Sequence, residues 1–182
     1  MKNLETKKVF LDSVLISHEC SVTCVSWADF NGLKLVSCSL DCTVCVWGRD
    51  EEGAWSVDTR MGQFLGNKNA YFNVIPSPDN KFLVAVNYIG SAMIWMFDEK
   101  TNKFSLRPSF NGHSNEVRDL DWNHTGDFLV SVSKDQTTRV LAQNDNKYHE
   151  ISRAQIHGYD ISAVATLKLK EGLIDLIICG AE

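Results

Sequence analysis

The stretch His18 to Trp47, HECSVTCVSWADFNGLKLVSCSLDCTVCVW, is written a second time, with changes, as HSNEVRDLDWNHTGDFLVSVSKDQTTRVL from His113 to Leu141. His, Trp, Ser and Asp recur in the same order. His18 and His113 lie 95 residues apart, as do Trp27 and Trp122, and Asp41 and Asp135 lie 94 apart. An interval of that size has room for one more unit of about 45 to 48 residues. It holds one: NAYFNVIPSPDNKFLVAVNYIGSAMIW ends at Trp95, 48 residues after Trp47. A fourth unit opens at His157, 44 residues after His113, and runs to Glu182.

Within each unit the apolar residues alternate or run in short stretches rich in Val, Ile, Trp and Phe, bounded by Gly, Asn, Asp and Pro, which is the pattern of strand, turn, strand. The first unit predicts strands at Val22 to Trp27, Leu33 to Ser37, Thr43 to Trp47 and Ala54 to Arg60. The second predicts Tyr71 to Ile75, Phe82 to Val86, Ala92 to Phe97 and Phe104 to Arg107. The third predicts Val117 to Trp122, Phe128 to Ser131, Thr138 to Leu141 and Tyr148 to Ile151. No window keeps a 3.6-residue period between helix caps, so helix should be scarce. Four short antiparallel strands recurring at this interval are the period of a β-propeller, whose blades bury both faces against their neighbours. The expected fold is all-β: three complete four-stranded blades at about 18–60, 61–107 and 108–151, and a partial fourth at 155–182, in an open array. Such an array leaves two unpaired sheet edges, so the chain is expected to be a piece of a larger protein and, on its own, to be poorly soluble or dependent on partners.

Composition agrees with a globular chain. Of 182 residues, 44% are hydrophobic and 23% charged, enough for a substantial core. A net charge of -5, with scattered Lys and Arg, argues against a general binder of nucleic acid or acidic membranes. The first eight residues, MKNLETKK, are polar and the apolar run Val9 to Ile16 is short, so neither a signal peptide nor a membrane span is expected. Five of six cysteines crowd into the first unit, but they do not reproduce the two paired CxxC motifs of a zinc ribbon. They read as buried or half-buried free thiols, and no metal or cofactor is expected. Asn123-His124-Thr125 fits a glycosylation sequon and, without a secretory signal, reads as a turn.

The recurring His, strand Ser, turn Asp and following Trp resemble the WD40 family. In that family these side chains form a buried hydrogen-bonded network inside each blade. By position the first blade has the full set, His18, Ser37, Asp41 and Trp47; the third has His113, Ser131 and Asp135, with Leu141 where Trp is expected. The second keeps Trp95 alone, since Ile89 stands at the Asp position. A buried carboxylate must find donors, and an imidazole, a hydroxyl and turn amides supply them within one blade. The competing reading of Ser, His and Asp is a hydrolytic triad. A nucleophile, however, needs an accessible site beside an oxyanion hole, whereas this set recurs at a structural period.

Three stretches narrow the resemblance further. Ser39 to Asn67, Glu116 to Ala142 and Tyr148 to Asp160 are similar to the second-subunit family of the Elongator complex, above all Asp135-Gln136-Thr137-Thr138-Arg139 followed by Gln155-Ile156-His157-Gly158-Tyr159-Asp160. The similarity covers roughly residues 18 to 165; the cysteine-rich first unit, Leu141-Ala142-Gln143 and the final KLKEGLIDLIICGAE depart from it. It implies a longer parent of two propellers and a non-catalytic scaffold, in the cytoplasm and nucleus, bound to the large first subunit and the catalytic third subunit of a complex that modifies the wobble uridine of certain tRNAs. A second reading keeps the fold and makes it a reader of peptides or histone tails. Contact with tRNA stays open, since Lys168 and Lys170 are a weak basic footprint. Two surface features have paired readings. The charged loops Arg49 to Gly53 and Asp98 to Lys103, read as interblade connections, are either partner contacts or solvated turns. Arg139 either packs in its strand or projects outward to meet a partner carboxylate or phosphate.

Overall fold

The computed structural model describes residues 11–62, 69–144, 147–154, 157–170 and 174–181. The polar start of the chain, up to residue 10, and the Gln155-Ile156 pair lie outside the described residues. Among the described residues fourteen strands form four antiparallel sheets. The first is β1 (Val22–Asp29), β2 (Leu33–Ser39), β3 (Val44–Arg49) and β4 (Trp55–Met61). The second is β5 (Tyr71–Pro76), β6 (Phe82–Asn87), β7 (Ser91–Asp98) and β8 (Lys103–Asn111). The third is β9 (Val117–Trp122), β10 (Phe128–Ser133), β11 (Thr138–Asn144) and β12 (Lys147–Ala154), and β13 (Ile161–Lys170) pairs with β14 (Ile174–Ala181). In each four-stranded sheet the order is the chain order, a meander. The described residues contain no helix, and hence none long and apolar enough to cross a membrane.

The middle strands explain the composition. β2, β3, β6 and β10 are buried on both faces, which is why they read as near-continuous apolar runs, while the outermost β4 and β12 are mostly exposed. Alternation assigns the two faces. Val36, Cys38, Val44 and Val46 point at the second sheet and meet Val74, Leu83, Ala85 and Trp95. The opposite face of the second sheet, Val84, Val86, Ala92 and Ile94, meets Val117, Leu120, Trp122, Leu129 and Leu141 of the third. The third sheet turns Val130 and Val132 on Ile161 and Val164 of the fourth. Face-to-face stacking in one direction gives an array of blades. The first blade's other face keeps Val25 and Trp27 more than half exposed, and β14 leaves Ile178 so at the opposite end.

Most strands run one to four residues past the expected ends, and two departures bear on the reading. β8 continues to Asn111, past residue 107, because the register shift between Ala92 and Ile94 lets it follow β7 to Ser91. The loops Arg49 to Gly53 and Asp98 to Lys103 join β3 to β4 and β7 to β8, so they are hairpin turns within blades and not connections between them. Both are tied down internally: Arg49 Nε donates to the Gly53 carbonyl at 2.6 Å, and Asp98 accepts from Thr101 Oγ1 at 2.8 Å and from the Lys100 N–H at 3.0 Å. The sequon at Asn123 is likewise a turn, its buried Nδ2 donating to Thr125 Oγ1 at 2.7 Å.

The second turn of every complete blade needs a left-handed residue at one place. Cys42 (φ 67°), Gly90 (φ 86°) and Gln136 (φ 66°) are equivalent, and glycine adopts that conformation without strain. At Gly90 space is also exhausted, since a Cβ there would lie 2.2 Å from the His113 carbonyl oxygen of the next blade. Gly90→Ala should therefore destabilise the chain by about 2 kcal/mol or more, read as a lowered midpoint in thermal or urea unfolding.

Candidate functional site

The sequence-predicted residues come together in two places, one in each of the blades that carry the motif. In blade 1 a directional chain of hydrogen bonds runs from Trp47 Nε1 to Ser37 Oγ (2.9 Å), from the Ser37 hydroxyl to His18 Nε2 (2.8 Å) and from His18 Nδ1 to Asp41 Oδ2 (2.9 Å). The other acceptor positions of Asp41 are filled by the Glu19 N–H (2.9 Å), the Thr43 N–H (2.9 Å) and Thr43 Oγ1 (2.6 Å). The turn itself is held by Ser39 Oγ, which accepts from the Asp41 N–H at 3.1 Å. Blade 3 repeats all of this but the indole: Ser131 Oγ to His113 Nε2 is 2.9 Å, His113 Nδ1 to Asp135 Oδ2 is 3.0 Å, and Asp135 accepts from the Ser114 N–H, the Thr137 N–H and Thr137 Oγ1. Thr43 and Thr137, two residues after each Asp, are part of the site and were missed in the sequence; their signal was the shared Asp-x-Thr.

Electrostatics follow from this shell of donors. Burial is the largest influence on Asp41 and would raise it, but the hydrogen bonds from Thr43, the Glu19 amide and His18 outweigh it and hold the carboxyl at about 2. Asp135 is held at about 2 in the same way, burial being overcome by Thr137, the Ser114 amide and His113. Burial keeps His113 below its ordinary value despite Asp135 beside it, which favours a neutral ring. The Ser-His-Asp distances are those of a hydrolytic triad, yet Ser37 is 3% and Ser131 1% exposed. Ser37 Oγ is also saturated by the Trp47 indole, so no substrate carbonyl reaches it.

The two blades differ at positions 45 and 47 against 139 and 141. Leu141 has no N–H to offer Ser131, and a cavity of about 80 Å³ opens between blades 2 and 3, lined in part by Ser131, Leu141 and Tyr148. Arg139, where blade 1 has Cys45, turns into this space. It is 5% exposed and does not project outward as one reading had it: its Nη1 meets Glu150 Oε2 at 2.6 Å and its Nη2 lies 3.7 Å from Asp135 Oδ2. The physical reason is register. Positions 139 and 141 share a face, that face packs on blade 2, and a buried guanidinium needs the two carboxylates. In blade 1 the cation at the corresponding carboxylate comes instead from β4, as Arg60 Nη2 at 3.5 Å from Asp41. In blade 2 the Asp position, Ile89, is exposed, and Asn87 alone organises the turn by accepting from the Ile89 and Ser91 amides.

A second set of contacts, absent from the sequence reading, ties blades to one another. Cys24, Asn73 and Asp119 occupy the same place in the first strand of successive blades. Cys24 Sγ donates to Asn73 Oδ1 at 2.9 Å, Asn73 Nδ2 donates to Asp119 Oδ1, and Asp119 Oδ2 accepts from the Val164 N–H at 2.9 Å. Thr166 adds a hydrogen bond to Asp121 at 3.0 Å. Burial pushes Asp119 up from the usual carboxylate range even though three donors oppose it. Lys168 donates to His124 Nε2 at 3.0 Å, and the side chain of Lys170 lies outside the described residues. Among the cysteines, Cys38 and Cys45 are buried, Cys24, Cys42 and Cys179 are partly so, and Cys20 departs from expectation in being exposed. Among the described residues no group of three or more His, Cys, Asp or Glu is placed to hold a metal.

Two measurements follow. Ser37→Ala strands both the His18 and the Trp47 ring nitrogens, whereas Ser131→Ala strands that of His113 alone. The first should cost about 2–3 kcal/mol and the second about 1 kcal/mol less, compared by urea unfolding. Stability should also fall with acid in two stages. A neutral buried His113 favours the native state above about 6.5 and ceases to do so as pH drops through its lowered folded value. Asp41 and Asp135, at about 2 in the native chain against 3.8 unfolded, each contribute stability that is complete above 3.8 and lost towards pH 2, on the order of 2 kcal/mol apiece. Asp119, raised in the fold, acts in the opposite sense. Asp41→Asn and Asp135→Asn should each flatten the lower limb of a stability-against-pH curve.

Comparison with known proteins agrees with this geometry. The model of the WD domain, G-beta repeat, matches residues 11–48 and 104–140. The chain is 38% identical to Elongator complex protein 2 of Drosophila melanogaster over 167 residues, covering 87% of this chain and 21% of that protein. Identity to Elongator complex protein 2 of Danio rerio is 35% (86% and 21% covered), and to that of Homo sapiens 32% (87% and 21% covered). The chain thus spans about a fifth of the length of these relatives. Among solved structures, the WD40 repeats of RRP9 superpose with a TM-score of 0.68 at 20% identity, covering 84% of this chain and 44% of that one. U3-55K superposes at 0.69 with the same identity and coverage, a likeness of fold. The hydrogen-bonded blades and these relatives together place the chain in the WD40-repeat family of Elongator complex protein 2.

Proposed function

We propose that the chain is a non-catalytic stretch of a scaffold subunit that assembles an Elongator complex acting in modification of the tRNA wobble uridine, in the cytoplasm and the nucleus. Identity of 32–38% to relatives that carry the name Elongator complex protein 2 is the observation that carries the reading. The chemistry of the site supports it. Each His, Ser and Asp of the two networks is spent on another member of its blade, which leaves a rigid β frame with polar loops at its rim. Partners of such a frame are proteins, here the large first subunit and the catalytic third subunit. Direct contact with tRNA has little to draw on at a net charge of -5, with Lys168 already directed at His124.

Affinity purification of the tagged full-length parent tests the assignment. Recovery of the first and catalytic Elongator subunits is expected, and Asp41→Asn should lower that yield only in proportion to the loss of folded protein. A histone-containing or otherwise unrelated complex in their place would discard the assignment and leave the fold untouched.

A further inference from the structure

Five cysteines in one blade have no structural explanation in the WD40 network, and two of them are cross-strand neighbours. Cys24 on β1 stands directly opposite Cys38 on β2 in the antiparallel register, with a register shift between Val22 and Cys24 beside the pair. Directly opposed residues share a face, and their Cα atoms are about 4.5–5.5 Å apart, inside the range a disulfide spans. Both side chains belong to the layer between blades 1 and 2. Their exposures differ in a useful way: Cys38 is buried at 0%, while Cys24 is partly exposed. Thr23 Oγ1 is 3.3 Å from Cys38 Sγ, and Cys24 Sγ reaches across to Asn73 Oδ1 at 2.9 Å.

We propose that Cys24 and Cys38 form a thiol-disulfide exchange site for low-molecular-weight disulfides such as glutathione disulfide, with Cys24 the attacking and Cys38 the resolving residue. The neighbouring Cys38 thiol is the largest influence on Cys24 and brings it down to about 7 against the push of burial, whereas Cys38 is raised, most by Cys24 and then by burial. A low-lying, reachable thiol beside a high-lying, enclosed one is the division of labour that exchange requires. In the first step the Cys24 thiolate attacks one sulfur of glutathione disulfide, the S–S bond of that molecule breaks, and one glutathione thiolate leaves. In the second, the Cys38 sulfur attacks Cys24 Sγ, the mixed disulfide breaks, and the second glutathione departs with the Cys38 proton. Two electrons pass from the cysteine pair to the disulfide, which becomes two thiols. Oxidised Cys24 has no S–H left for Asn73, so the first link of the chain Cys24, Asn73, Asp119 is cut and blade 1 loses one of its ties to blade 2. Thr23 Oγ1, which donates to the Tyr71 carbonyl at 2.8 Å, remains as the neighbouring tie.

The purified chain, incubated with glutathione disulfide at pH 7.5, quenched with iodoacetamide and mapped by mass spectrometry, decides the matter. A peptide pair joined through Cys24 and Cys38, two hydrogens lighter and restored by dithiothreitol, is expected to dominate over products at Cys20, Cys42, Cys45 and Cys179. Cys38→Ala should stop the reaction at the glutathione adduct of Cys24, and Cys24→Ala should slow modification of Cys38 by about tenfold or more. If Cys38→Ala does not fold, the wild-type time course serves instead: the Cys24 adduct must rise before the crosslink and decline as it forms. Oxidation that begins at exposed Cys20, a crosslink between any other pair, or an adduct on Cys38 ahead of Cys24 overturns the proposal.

Discussion

A carboxylate taken out of water has to be surrounded by donors, and that constraint shapes each motif-bearing blade. Asp41 and Asp135 each meet an imidazole N–H, a threonine hydroxyl and two backbone amides, and no other side chain in the turn could bring so many donors to one point. Because the amides come from the turn after the second strand and from the residue after His, the carboxylate fastens the start of the blade to its middle. The hydroxyl of Ser37 or Ser131 then locks the imidazole from its other side. The geometry resembles that of a hydrolase, and what separates the two is access: the same three groups with the serine sealed are a clamp.

Blades differ in how completely they use the clamp, and the differences compensate locally. Blade 1 closes it with an indole, blade 3 leaves a small cavity and brings in Arg139 with Glu150 as its counterion, and blade 2 does without, relying on Asn87 for the turn and on Tyr71 and Trp95, 6.2 Å apart, for packing. Each solution is built on the same two-residue alternation, which puts positions 139 and 141 on the face that meets blade 2 and positions 45 and 47 on the corresponding face of blade 1, turned away from blade 2. A second, independent system of Cys24, Asn73, Asp119 and Asp121 joins blade to blade along the first strands. Cohesion within a blade and cohesion between blades are thus carried by different residues, so a change at one need not disturb the other.

Strand positions, the number of blades and the membership of each His-Ser-Asp set were written plainly in the sequence, since they rest on a period of two residues within strands and on a spacing that repeats. The chain itself also determined that His18, Ser37, Asp41 and Trp47 form one set and His113, Ser131 and Asp135 another, because local spacing within a meander brings those positions together whatever surrounds it. Tertiary structure alone decided where Arg139 points, which of six cysteines face one another, and that Asn73 bridges Cys24 to Asp119. Those outcomes depend on which face of a strand the neighbouring sheet covers and on the register of strands nearly fifty residues apart, and such contacts leave no trace in the order of residues along one strand.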